Sequence, residues 1–384
     1  MALLSIGFRP FFLLAGVHGA LAVPLFLADY LGYGGDFTWW PAGLWHMHEM
    51  VYGYAMAVVA GFLLTAVPGW QKTTPVNGAP LAALAVIWLA GRLVMGLGAW
   101  LPPLLVAVVD LAFIPALVAI GIPGLLAVGD KRNGIFLVIL GLFLASNGML
   151  HFDIAGNMAV TLVVGLLALL VCVLGGRIVP SFTRNALAAK GLDTVVQTSN
   201  RAHGLAVGSV AAVVLSDLAA AQWDQMAPLA AGLALAAAVA NGWSMAGWGT
   251  RHTLDSPIVW SLHLGYGWLV AGLALKGLGG FDLVDGAASV HGLTIGMVGT
   301  MTLAVMSRAA LGHTGRPLVA SPLTVTAYAL ISVAALARLT AAVAPDTTAA
   351  ALVVAAVAWT AALTAFVVVY APILVAARPD DRPG

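Results

Sequence analysis

Nine histidines and a single glutamate stand in a chain of 384 residues of which only 8% are charged. His46, His48 and Glu49 lie together in Trp45-His-Met-His-Glu-Met50, His151 follows Asn147 by one helical turn, and His291 opens a further apolar stretch. Neutral imidazole is a common ligand for haem iron, copper and zinc. Residues two apart on a helix point about 200° apart. A fully helical segment therefore sets His46 on a face with Glu49 and Met50 and turns His48 toward another site, whereas an extended 46–48 lets both grip one ion. A looser group comprises His263 and His313, with Arg177 and Arg184 flanking Pro180-Ser-Phe-Thr183. Arg177 is a candidate to bind a cofactor. His18, His203 and His252 read as single buried side chains bonded to a carbonyl or a water, as lone polar residues between membrane helices commonly are.

Arg92 and Asp110 sit nine residues either side of position 101. If a turn falls there, equal steps put both at one depth on antiparallel helices. Ionised groups in a bilayer are costly and almost always paired. The spacing predicts an ion pair pinning two helices; the functional alternative is that Arg92 holds an anionic cofactor group such as a haem propionate.

These residues need elements to carry them, and composition names the kind. Apolar residues make up 61% of the chain and mean hydropathy is +1.01. A soluble protein has about a quarter of its residues charged, so the outer face here must meet membrane lipid. A helical crossing takes about 20 mostly apolar residues. Such windows fall at 10–29, 43–68, 79–99, 102–126, 134–152, 157–179, 202–221, 226–247, 257–276, 286–307, 322–343 and 349–376. The expected fold is all-α: a polytopic bundle of about twelve transmembrane helices forming a single domain over 1–384, its first helix an uncleaved one. With the N-terminus inside, thirteen Lys and Arg fall in inner segments, Lys131, Arg132 and Arg382 among them, and only Lys276 and Arg338 in outer ones. Lys and Arg collect on the cytoplasmic side, so both termini are expected there. The outer loops are acidic, Asp36 included, and Trp39, Trp40 and Trp45 mark an outer boundary. On this orientation His46, His48, His151 and His291 gather at similar depth on three helices in the outer half, as a bundle metal site requires. A net charge of +1 offers no case for nucleic acid, and one cysteine excludes an intrachain disulfide.

Gly7-Phe-Arg-Pro-Phe-Phe12, Trp45-His-Met-His-Glu-Met50, Gly61-Phe-Leu-Leu-Thr-Ala-Val-Pro68 and Trp88-Leu-Ala-Gly-Arg92 resemble the opening of the NnrS family. Gly175-Gly-Arg-Ile-Val-Pro-Ser-Phe-Thr-Arg-Asn185, Leu262-His-Leu-Gly-Tyr266 and Val305-Met-Ser-Arg-Ala-Ala-Leu-Gly-His-Thr-Gly-Arg-Pro317 continue the likeness, which spans about 5–318; beyond it, helices at 322–376 match only as apolar spans. The resemblance implies a haem- and copper-containing protein of the bacterial inner membrane, tied to nitric oxide metabolism and nitrosative-stress resistance. It carries over His46, His48, Glu49, His151, His263, His291 and His313 as site candidates. The haem that the resemblance implies is expected to be b-type, since no C-x-x-C-H is present, with His48 and His291 as axial ligands. His46 and His151 would hold copper, and Glu49 would carry protons or serve as a third ligand. Nitric oxide is the expected small-molecule ligand, and an electron donor is implied for its reduction. Two other classes share the topology: a twelve-helix secondary transporter, with Pro115 and Gly121 interrupting a span near Asp110, and a sensor that binds nitric oxide without turnover.

Overall fold

A computed structural model describes residues 2–35, 38–126, 134–188 and 190–380; Asp36, Lys131, Arg132 and Arg382 therefore lie outside the described residues. Among the described residues there is no strand, and twelve helices are long and apolar enough to cross a membrane. They are α1 (Phe8–Tyr30), α2 (Ala42–Gln71), α3 (Gly78–Gly96), α4 (Pro103–Gly121), α5 (Gly134–His151), α6 (Gly156–Ala188), α7 (Asn200–Ala220), α8 (Asp224–Ala246), α9 (Pro257–Gly279), α10 (Gly286–His313), α11 (Pro322–Val343) and α12 (Thr348–Val375). The chain is a multi-pass membrane protein. In lipid every backbone polar group must be bonded internally, which is why the apolar windows are helices.

Contacts group the chain into two compact units. The first comprises Met1–Gly156, Met306–Leu318 and Thr360–Gly384, and so holds α1–α5 with the final parts of α10 and α12. The second comprises Asn157–Val305 and Val319–Trp359, holding α6–α9, α11, most of α10 and the start of α12.

Three spans depart from α-helical winding. In α2, the segment Glu49–Ala55 winds as a π-helix directly after His48, and in α10 the segment Gly292–Gly299 does so directly after His291. In α4 the helix breaks at Ala112 and resumes as Phe113–Ala116 and a π-turn at Leu117–Gly121. Pro115 explains the break: it has no N–H to offer the carbonyl of Leu111, four residues back. Residues 46–48 are helical, so the extended alternative for the two histidines does not occur.

Within the first unit α1 packs closely on α2 because Gly61 presents no side chain: a Cβ there would lie 2.8 Å from the Phe12 ring. Small residues permit such approach between membrane helices. Gly61→Leu is expected to lower stability by about 1–3 kcal/mol through overpacking. Gly69, with nothing within 4 Å of its Cβ position, is the control: thermal unfolding in detergent should respond to the first substitution and not to Gly69→Leu.

Candidate metal centre

Four helices of the first unit bring their polar residues to one buried point. His48 and Glu49 come from α2, Arg92 from α3, Asp110 from α4, and Asn147 and His151 from α5. Asn147 and His151 are four apart and share a helix face. Gly91, one residue before Arg92, leaves the room that Asp110 occupies: a Cβ there would fall 3.2 Å from Asp110 Oδ1.

Asp110 is the hub. Its Oδ2 lies 3.1 Å from His48 Nε2 and 3.0 Å from His151 Nε2, and accepts a hydrogen bond of 2.7 Å from Asn147 Nδ2. Its Oδ1 accepts from Arg92 Nη2. The other arm of Arg92, Nη1, donates to Glu49 Oε1 at 2.5 Å, so one guanidinium bridges two carboxylates. Glu49 Oε1 also lies 3.0 Å from His48 Nδ1, and Glu49 Oε2 lies 3.2 Å from His18 Nε2 on α1. His48 and Glu49 are almost wholly buried, at 0% and 1% exposure. Trp40 roofs the cluster, its ring centroid 5.1 Å from those of both His48 and His151. The Tyr52 ring packs against His48, tilted by 37° with centroids 4.9 Å apart, and is anchored through its hydroxyl to the Phe143 carbonyl.

With its histidines neutral, this cluster sets one positive charge against two carboxylates. One arginine faces two carboxylates, and both nitrogens of His48 point at carboxylate oxygens. An ionised carboxylate only accepts, so each His48 nitrogen requires a proton or a cation between it and the oxygen. Either His48 is an imidazolium or a metal ion takes the place of one proton. Burying an uncompensated charge is strongly destabilising, so a cation belongs here. His48, Asp110 and His151 can each turn one ligand atom to such an ion, all of them within 4.8 Å of one another. Two imidazoles and a carboxylate suit copper, zinc or iron. The cavity beside Arg92, Asp110 and Asn147 is about 10 Å³, the room of a single water or ion and not of a macrocycle.

The remaining candidates are placed as follows. His46 stacks on Phe26 of α1, centroids 4.1 Å apart, and is not in the His48–Asp110–His151 group. In the second unit, His263 has both nitrogens on hydroxyls, Thr183 at 2.7 Å and Thr250 at 3.0 Å, so its ring is fully engaged. His291 Nδ1 donates to the Ala287 carbonyl at 2.8 Å, which fixes the tautomer, and its Nε2 accepts from Arg338 Nη2 at 3.1 Å. Arg177 is exposed on α6, within electrostatic reach of His203. His313, in the first unit, packs its ring 5.5 Å from that of Phe8. Trp39 is exposed as an interfacial residue should be, whereas Trp40 and Trp45 are buried. The expected Arg92–Asp110 ion pair between α3 and α4 is present. Sequence reasoning did not connect Asp110 to the histidines or His18 to Glu49. The depth reasoning applied to Arg92 and Asp110, extended to Asn147 and His151, would have found the first; nothing in the sequence signals the second.

The fold and the cluster define a polytopic helical membrane protein with a buried histidine–carboxylate centre. A family model described as NnrS protein matches residues 2–378, and the chain belongs to that family. A comparison with curated proteins found no match.

Arg92→Gln should destabilise the protein by about 3–5 kcal/mol, the cost of leaving a buried carboxylate without its cation. Because the two groups are coupled, Arg92→Gln combined with Asp110→Asn should lose less than the sum of the single changes. Thermal denaturation of the three variants measures this, and strict additivity would contradict the bridge.

Proposed function

We propose that this protein is a haem- and copper-containing protein of the bacterial inner membrane, with both termini cytoplasmic, that binds or reduces nitric oxide and so contributes to nitric oxide metabolism and nitrosative-stress resistance. The observation that carries the reading is the convergence of His48, Asp110 and His151: three donor atoms on three helices, within 4.8 Å of one another, in a buried cluster where a metal ion can take the place of a proton. Family membership supports copper as that cation. In this reading His48 and His151 hold copper with Asp110, and His46 lies beside the site as packing. Copper, when bound, supplies one-electron redox chemistry and a place for nitric oxide to ligate.

The chain's own residues do the rest. Arg92 holds both carboxylates in place, Asn147 orients Asp110, and Trp40 and Tyr52 keep bulk water from the imidazoles. Reduction of two nitric oxide molecules to nitrous oxide and water takes two electrons and two protons, and Glu49, linked to His18 on one side and His48 on the other, is the proton carrier. Nitric oxide is small, neutral and soluble in lipid, so it needs no polar channel to arrive. His291 would be the residue to hold a b-type haem, through the Nε2 that here accepts from Arg338; a metal-bound histidine usually donates its second ring N–H to a carbonyl or carboxylate, and His291 already does so to Ala287. The electrons come from a donor outside the chain.

A second reading, a secondary transporter, draws on the break in α4 beside Asp110, since transporters often bind substrate at interrupted helices. Metal analysis and an absorption spectrum of the purified protein separate the two. Copper and a haem band are expected; a colourless, metal-free preparation favours transport. Among the variants, His48→Ala and His151→Ala should lose copper while His46→Ala retains it, and His291→Ala should lose the Soret band. If His48→Ala and His151→Ala both keep full copper, the assignment fails. Glu49→Gln should keep both cofactors and suppress nitric oxide consumption by a factor of about 10²–10⁴, the usual weight of a positioned proton-transfer group; undiminished consumption would remove Glu49 from the mechanism.

A further inference from the structure

Two of the sequence motifs, Gly7–Phe12 and Val305–Pro317, take no part in the centre described above. In the first unit they meet: the Phe8 ring lies 5.5 Å from that of His313. Beside them is Arg9, the second residue of α1, whose guanidinium lies 5.7 Å over the Phe8 ring and whose side chain is completely buried at 0% exposure. Its Nη1 donates to the carbonyls of Leu374 at 2.9 Å and Ala376 at 2.6 Å, at the end of α12. Its Nε and Nη2 have no hydrogen-bond partner among the described residues. Those two N–H groups form one edge of the guanidinium, the edge that matches a pair of anionic oxygens. Leaving a buried donor unbonded costs about 1–3 kcal/mol, more on a charged group, and such a group calls for an explanation.

The surroundings indicate what the missing acceptor is. Arg316 and Arg378 both act electrostatically on Arg9, so three guanidiniums converge. Arg378 turns the same Nε–Nη2 edge on Asp380, with bonds of 2.8 Å and 2.6 Å, and donates its Nη1 to the His313 carbonyl at 2.8 Å. Among the described residues, Asp380 is thus a carboxylate set directly on one of these guanidiniums. Gly315, at φ +70°, makes room for this arrangement: a Cβ there would lie 3.0 Å from Asp380 Oδ2 and 3.2 Å from Arg378 Nη2. The start of α1 and the ends of α10 and α12 come together here, so the cluster lies at a membrane–water boundary, where phospholipid headgroups reside. Basic pockets between membrane helices at that level bind anionic headgroups.

We propose that Arg9, Arg316 and Arg378 form a binding site for a phosphate group, with two of its oxygens on the vacant edge of Arg9. Phosphate fits because its several oxygens can meet more than one guanidinium at once. The Asp380 carboxylate occupies part of the site as an internal substitute. The chain after Val375 is not helical, and it carries Arg378 and Asp380 to the site. The phosphate comes either from an anionic phospholipid or from solution.

The test uses the full-length protein in nanodiscs of phosphatidylcholine alone, of phosphatidylcholine with phosphatidylglycerol, and of phosphatidylcholine with inorganic phosphate titrated in. A ligand that binds only the folded state raises the unfolding temperature. Stabilisation by phosphatidylglycerol but not by phosphate identifies a lipid headgroup, and stabilisation by phosphate identifies the free ion; both support the site. Arg9→Gln, Arg316→Gln and Arg378→Gln should each weaken the response about tenfold or more, and Asp380→Asn should strengthen it by removing the internal competitor. Should Arg9→Gln fail to fold, the Arg316 and Arg378 variants decide the matter, since both side chains are partly exposed. Arg251→Gln, an exposed basic residue of the second unit, is the control for general surface charge. No response to either probe, or an equal loss in the Arg251 variant, overturns the proposal.

Discussion

A charge placed among lipid-facing helices persists only beside an opposite charge. Arg92 answers to two, Glu49 and Asp110, and their carboxylates in turn hold three imidazoles. The helices of the first unit are consequently cross-linked at one depth: α1 by His18, α2 by His48 and Glu49, α3 by Arg92, α4 by Asp110, and α5 by His151 and Asn147. Apolar packing between membrane helices lacks a hydrophobic driving force of its own, so this knot fixes which faces meet. The same bonds that set the helix arrangement also set the ligand geometry, and neither can change without the other.

The backbone bends its rules where this knot is tied. π-turns are rare and occur mostly at functional sites; in the first unit one begins directly after His48 and another completes the broken α4 a few residues beyond Asp110, while in the second unit a third begins directly after His291. Two uncharged networks are simply satisfied. In the second unit Tyr266 and Cys172 both bond Asn241 Oδ1, whose amide returns to the Ala237 carbonyl, and His263 is closed off by two threonines. These networks have no charge to balance, and their helices wind regularly.

The spans were readable from sequence because lipid imposes a length and a composition that few other environments do. The bounds of α5 and α11 and the start of α10 lay where glycine, proline and charge had marked them, while α10 runs six residues beyond its window at 286–307 to His313 and α6 runs nine beyond the apolar window at 157–179, through Arg177 and Arg184 to Ala188. An amphipathic extension of this kind is invisible to a hydropathy argument. The pairing of Arg92 with Asp110 was readable because both count from the same turn. The link from Asp110 to His48 and His151 was not: it depends on how three helices rotate about their axes, and rotation is decided by packing. Helical phase placed His48 away from the face of Glu49, yet the two side chains bond, because adjacent long side chains at the entry to a π-turn can reach one another. Trp40 was read as a boundary residue, and its ring instead fills the space above two histidines.

The hydrogen bonds from Arg9 to the carbonyls of Leu374 and Ala376 join the second residue of the first helix to the end of the last. Chains are made from the N-terminus onward. Arg9 therefore emerges from the ribosome long before its partners exist, and throughout the synthesis of eleven further helices its charge must wait in water or on lipid phosphate. The pairing of Arg9 is therefore complete only once α12 is in place, so an arginine near the start of α1 depends on a span made eleven helices later.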